Sequence, residues 1–194
     1  MITKKLIAII FCLIVLPATT LAAPQVVTET HTYVLGDNDS KNDARTMCFL
    51  EAKRKMLEKA ETLVMSHTQA NMGRLTKDEI NSYTAALIKI ENAGEEWRFN
   101  DSGSMVVVMT VKAVLDYDDI KKRLNDIQKD STARKKIVEQ QDRLAALEKM
   151  IAGLQQKLGK ANVVEANQLR KDRNVAFQEI DELQTKKNNN NETD

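Results

Sequence analysis

Between residues 40 and 68 the apolar side chains return with the period of an α-helix. With Ala44 at 0° and about 100° per residue, Phe49, Leu50, Ala52, Met56, Leu57, Ala60, Leu63 and Val64 fall in an arc from about 80° to 240°. Glu51, Arg54, Lys55, Glu58, Lys59 and Glu61 fill most of the remainder. Arg45 and Lys53 interrupt the apolar arc, and the stem of Lys53 is long enough to lie along it and lift the amine out. Ser40 is the expected N-cap, with Asp43 three residues on as a short-armed capping box. Asp37, Asp39 and Asp43 also bring negative charge to the positive end of the helix dipole. Each large side chain on the apolar arc contributes roughly 1.5–3 kcal/mol when fully buried, so the face requires a partner.

That partner is predicted by a change of period. Residues 27–35 are rich in β-branched and aromatic types and read as a strand with an uneven division between its faces, as at a sheet edge. Gly36 to Asp39 form a turn. The aspartate spacing in residues 37–43 resembles a calcium loop, but Asn42 stands where the loop needs glycine and no glutamate occupies the twelfth position, so a turn and helix cap are expected instead. The long helix is predicted to end near His67 and Thr68, with Gly73 in the connection. Thr76 and Glu79 form a capping box stapled by Leu75 and Ile80, opening a short helix to about Ala86. Residues 87–99 read as a strand kinked near Asn92–Gly94, residues 100–103 as a turn, and residues 105–115 as the clearest strand in the chain. Met105, Val107, Met109, Val111, Ala113 and Leu115 give that strand one wholly apolar face. The expected class is α+β: a small β-α-α-β-β domain over residues 23–116, its antiparallel sheet covered by the long helix.

Beyond it, Asp116 is placed to cap a helix over residues 117–127, which Ser131 and Thr132 either interrupt or bend. From Ile137 a heptad begins. Ile137, Leu144, Ile151 and Leu158 share one seam position; Gln140, Leu147, Leu154 and Ala161 share the other. The phase fails at Glu165 and Gln168, then resumes with Leu169, Ala176, Ile180 and Leu183. A four-residue stutter in one long helix would produce this pattern. So would a turn at Gly159 to Asn162 that folds two helices of similar length into a hairpin. Both readings make residues 117–187 a helical coiled-coil extension. Ile137, Leu144, Leu147, Ile151, Leu154, Leu158, Leu169, Ile180 and Leu183 form the seam expected to bind a protein partner or a second copy. Residues 188–194 lack apolar side chains and are expected to be disordered.

The first 22 residues show a different pattern. Lys4 and Lys5 precede an apolar run from Leu6 to Leu16, and Thr20-Leu21-Ala22 ends in a small-x-small signal, as in a secretory signal peptide cleaved after Ala22. The run is too short for a transmembrane helix of about 20 residues, so no stable membrane span is expected after cleavage. Phe11 precedes Cys12 where a lipoprotein signal needs a small residue, and lipidation is not expected. The periplasm is the predicted destination.

Charge and chemistry exclude more than they assign. The full chain holds 29 basic and 28 acidic residues, and neither the 23–116 part nor the remainder carries the field of a nucleic-acid binder. Aromatic residues are 4% of the chain, too few for base-stacking platforms. Past the signal segment Cys48 is the only cysteine, at the margin of the helix's apolar arc, and is read as a buried inert thiol. His31 and His67 lie on different predicted elements with no Cys/His cluster, so no metal site or cofactor is expected. Neither histidine has a visible nucleophile partner, and no catalytic residue is assigned. Glu95 and Glu96 beside Trp97 read as a charged strand rim rather than a cation site. The methionines, Met47, Met56 and Met109 among them, read as core filler.

Asp43-Ala44-Arg45 at the head of the main helix, Ala52 and Ala60 facing the sheet, the Leu75–Ile80 helix start and the Tyr83-Thr84-Ala85-Ala86 run resemble small bacterial envelope domains like the N-terminal domain of flagellar assembly protein T. The resemblance spans about residues 25–116. It implies an envelope-associated, non-enzymatic module; it carries over no catalytic residue, and a flagellar role does not follow from it. Together these readings predict an exported envelope protein without enzymatic activity that assembles or binds a partner through its coiled coil. A periplasmic holdase chaperone is the second reading, and an enzyme the last.

Overall fold

A computed structural model describes residues 24–68 and 75–191; residues 1–23, where a signal peptide was predicted, the connection through Gly73, and residues 192–194 lie outside the described residues. The elements in order are β1 (Gln25–Val34), α1 (Lys41–Thr68), α2 (Lys77–Leu87), β2 (Ile90–Phe99), β3 (Met105–Leu115), α3 (Tyr117–Lys129), α4 (Ser131–Leu158) and α5 (Val163–Asn191). The protein is an α+β molecule with a three-stranded antiparallel sheet in the order β1-β3-β2.

β3 takes the centre because it is the one strand with a continuous apolar face. Val107, Met109, Val111, Ala113 and Leu115 are all buried there. Both of its partners are edges, β1 in unbroken register with β3 and β2 with an irregularity between Asn92 and Gly94, where the kink was predicted. β2 begins at Ile90 rather than 87, because α2 runs to Leu87 and Ile88 caps it by donating its N–H to Thr84 O.

α1 lies on the sheet through a row at intervals of four: Ala44, Cys48, Ala52, Met56, Ala60 and Val64, each fully buried. The small residues in this row let the helix backbone approach the strands closely. Cys48 is therefore central in the sheet contact rather than marginal. Its Sγ lies 3.4 Å from His31 O and 3.5 Å from Val107 O, and burial pushes the thiol pKa up. Ser40 and Asp43 form the expected reciprocal cap (Asp43 N–H to Ser40 Oγ 3.1 Å, Ser40 N–H to Asp43 Oδ2 3.0 Å), and Thr76 and Glu79 form theirs.

The helices after β3 join the same core. Asp116 accepts from the N–H groups of Asp118 and Asp119 and starts α3, whose Ile120 and Leu124 are buried with Val27, Met56 and Leu115. Asp130 ends α3 and caps α4 through Thr132 N–H and Ala133 N–H, so the helix is interrupted rather than bent, at Asp130, one residue before Ser131. Ile137, predicted as the first seam residue, packs against this sheet core. Packing therefore runs across the 116–117 boundary expected between domain and extension.

At Gly159–Asn162 the chain turns. Asn162 Oδ1 accepts from the N–H groups of Val164 and Glu165, restarting the helix in the opposite direction. Arg143 meets Glu179 at 2.5 and 2.7 Å and Gln155 meets Arg173, the order of contacts of antiparallel neighbours. The long continuous rod is thus not the arrangement seen. α5 reaches Asn191, so residues 188–191, expected to lack structure, continue the helix.

Candidate functional site

The residues with most chemistry meet where the α4–α5 hairpin lies against the turn between β1 and α1. Arg173, from the middle of α5, has no solvent exposure. Its Nη1 donates to Asp39 Oδ1 at 2.8 Å and to Gln155 Oε1, and its Nη2 lies 2.9 Å from Asp43 Oδ2. The Tyr33 hydroxyl donates to Asp39 Oδ2 at 2.7 Å, and Gln155 Nε2 donates to the Tyr33 oxygen at 2.7 Å. The guanidinium also sits 5.7 Å from the ring centre of Phe177. Nearby, Asn38 Nδ2 donates to Leu158 O at 3.0 Å, satisfying a carbonyl at the end of α4.

Local sequence places each member. The Gly36–Asp39 turn folds Asp39 back under Tyr33, and Gly36 N–H joins in at 3.2 Å. Asp43 is held by the α1 cap. One carboxylate thus serves two ends: it completes the cap and meets the arginine. Burial, followed by the hydrogen bond to Asp39, pushes the Tyr33 pKa up, so the phenol stays a donor throughout the physiological range. Two carboxylates against one arginine leave a formal −1, shared over hydrogen bonds from Tyr33, Gln155 and the backbone. Both oxygens of Asp39 and Oδ2 of Asp43 face donors from the same chain, while the buried Arg173 Nε meets no hydrogen-bond partner among the described residues. The geometry is that of a clasp joining residues more than a hundred positions apart.

Beside the clasp lies an apolar contact. Met47 and Leu50 of α1 and Tyr33 of β1 pack with Leu144, Leu147, Ile151, Ala176, Phe177, Ile180 and Leu183 of the hairpin. Most of the predicted seam is therefore turned toward its own chain: Leu147, Ile151, Leu158 and Ile180 are buried, and Leu144, Leu154, Leu169 and Leu183 partly so. Further along α1, Lys53 enters a cleft with Glu61, Gln141, Leu144, Glu148 and Gln184. Burial lowers its amine pKa to about 8, against the opposing pull of Glu148 and Asp181.

Sequence reasoning assigned Asp39 and Asp43 to a cap and missed their arginine. A signal was present. Arg173 stands four residues after Leu169 and three before Ala176, a seam position in the resumed phase where an apolar residue belongs.

The remaining candidates are occupied within the chain. Glu95 receives Arg45 Nε at 2.8 Å and Trp97 Nε1 at 2.7 Å, while Lys41 and Arg45 lie over the Trp97 ring. His67 stacks on Tyr117 with ring centres 3.9 Å apart. His31 lies on β1, its pKa lowered by burial and then by Lys55. Among the described residues no cluster of three or more His, Cys, Asp or Glu side chains is placed to hold a metal, and no helix is long and apolar enough to cross a membrane. No family model, curated protein or solved structure matches the chain.

Proposed function

We propose that this is an exported, non-enzymatic envelope protein of the periplasm that serves assembly by presenting its helical hairpin, in a fixed orientation, to a protein partner. The observation that carries the reading is the buried Arg173 clasp. A buried ion pair contributes little net stability against its desolvation cost, and a recurrent use of such pairs is to fix one arrangement over others. A hairpin needed only as ballast would be held by apolar packing alone.

The surface offered to the partner is then the outer side of the hairpin. Val163 and Val164 are 77% and 81% exposed at its tip, and Val175 and Met150 stand exposed along its length. The coiled-coil seam acts from within, holding the two helices and α1 together. The segment before Ala23, with its basic start and small-x-small end, supports export, and the resemblance to small envelope domains supports the non-enzymatic assignment.

The test is crosslinking of the protein in its own cells, followed by capture and mass spectrometry. The wild type should yield one defined partner and a peptide beginning at Ala23. Val163→Asp with Val164→Asp should abolish the crosslink without changing the thermal transition. An undiminished crosslink in that variant, or capture of many unfolded clients as a holdase would give, rejects the proposal.

A further inference from the structure

Among the described residues, β1 has a side that no strand occupies. Leu35 N–H donates to Met105 O at 2.9 Å, continuing the register in which Val34 faces Val106. Hydrogen-bonded and non-hydrogen-bonded pairs alternate in an antiparallel ladder. Odd-numbered residues of β1 therefore turn their amides to β3, and Val26, Thr28, Thr30, Thr32 and Val34 turn theirs outward. All five are exposed, Val26 by 61% and Val34 by 51%. An edge in unbroken register over this length is a template for another strand.

We propose that the edge is occupied by β1 of a second copy, paired antiparallel about a two-fold axis through Thr30, so that two sheets join into one in the order β2-β3-β1-β1-β3-β2. This association uses a surface separate from the hairpin and does not depend on the hairpin's partner.

The sequence of the strand selects the register. Only even-numbered residues can bond across this edge, and they must bond to even-numbered residues of the other copy. With the axis at Thr30, Val26 of each copy faces Val34 of the other, so the two exposed valines cover one another. Thr28 faces Thr32, and Thr30 faces itself. On the helix side Glu29 of each copy faces His31 of the other, and an imidazole N–H can donate to the carboxylate. Moving the axis one residue back sets Glu29 against Glu29, like charges directly opposite; moving it one forward sets His31 against His31 and leaves each Glu29 without the imidazole donor. The centred register is self-complementary, as an interface about a two-fold axis requires, and it forms about ten backbone hydrogen bonds. One group stands in the way: Lys59 Nζ reaches Thr28 O at 3.1 Å and Glu29 Oε2 at 3.0 Å. Pairing releases the carbonyl contact and leaves the amine on Glu29.

The test combines crosslinking with mass measurement in solution. In a Cys12→Ser, Cys48→Ala background, Thr30→Cys should form a disulfide-linked dimer under mild oxidation, because a hydrogen-bonded pair spans about 5.5 Å between Cα atoms, within disulfide range. Thr28→Cys lies about 14 Å from its copy in this register and should stay unlinked. By sedimentation the wild type should be a dimer and Thr30→Pro a monomer that still melts cooperatively, since the Thr30 N–H is not part of the β1–β3 ladder and the substitution removes only the exposed Thr30–Thr110 hydroxyl contact. Thr32→Lys is the second disrupting variant, should proline perturb the strand. A monomeric wild type at every concentration overturns the proposal. So does a dimer that survives both variants, or a Thr30→Cys adduct formed only with a different protein.

Discussion

α1 has two interfaces built by different rules. Toward the sheet it presents Ala44, Cys48, Ala52, Met56, Ala60 and Val64 to the apolar face of β3, and the contact is shape against shape. Toward the hairpin it presents a smaller apolar group, Met47 and Leu50, flanked by the Arg173 clasp at one end and Lys53 at the other. The first interface gains from burial alone and tolerates small adjustments. The second includes charges withdrawn from water, each dependent on a partner from a remote part of the chain. Apolar packing supplies stability without insisting on one arrangement; buried polar groups supply the insistence and lower the net gain.

The contrast is broken most severely on the sheet side. Val111→Asp puts a carboxylate with no partner at the centre of the common core. It should remove the cooperative thermal transition of the whole chain, monitored by circular dichroism, because a loss above about 4–5 kcal/mol exhausts much of a domain's stability.

On the hairpin side, Arg173→Met should cost about 3–5 kcal/mol by urea unfolding, most of it from leaving Asp39 and Asp43 buried without their cation. Adding Asp39→Asn and Asp43→Asn should recover most of that loss. Hydrogen exchange should sharpen the comparison: in Arg173→Met, amides of α4 and α5 should lose protection while those of β3 keep theirs. Equal loss in both would mean that the two interfaces form one unit.

Leu147→Ala tests the apolar part of the same contact. It should cost about 2–4 kcal/mol, through lost transfer energy and the cavity left between α1 and the hairpin.

The smallest effect expected is at Lys53, and it carries a sign. The amine is lowered to about 8 when folded, so between that value and the ordinary lysine range near 10.5 the unfolded chain binds more protons than the folded one. Stability contributed at this site therefore rises with pH across that window, and below pH 8 the buried charge is a full liability. Lys53→Met should stabilise the protein by about 1 kcal/mol at pH 7, discounted for partial exposure, with the gain fading as pH approaches 10. A gain independent of pH would place the amine in water rather than under the hairpin.

The elements themselves were legible because they rest on local periodicity. Alternation marked β3, the capping box marked α2, and the Asn92–Gly94 irregularity marked the kink in β2. The turn at Gly159–Asn162 was legible as one of two readings; a stutter and a turn leave the same trace in a heptad. Lys53 was read as a residue lifting its amine out of an apolar arc, yet that arc serves two neighbours, and its upper part faces the hairpin.

The residues of the chain by themselves determined which segments are helices and strands, which strand carries the continuous apolar face, and where most caps and turns fall. These depend on spacing within a few residues. Only the tertiary structure decided that Asp39 and Asp43 face Arg173, that Tyr33 and Gln155 close the network, and that the seam of the hairpin is turned inward onto Met47 and Leu50. Pairing of charges more than a hundred residues apart depends on how two finished elements dock, and no local period records that distance.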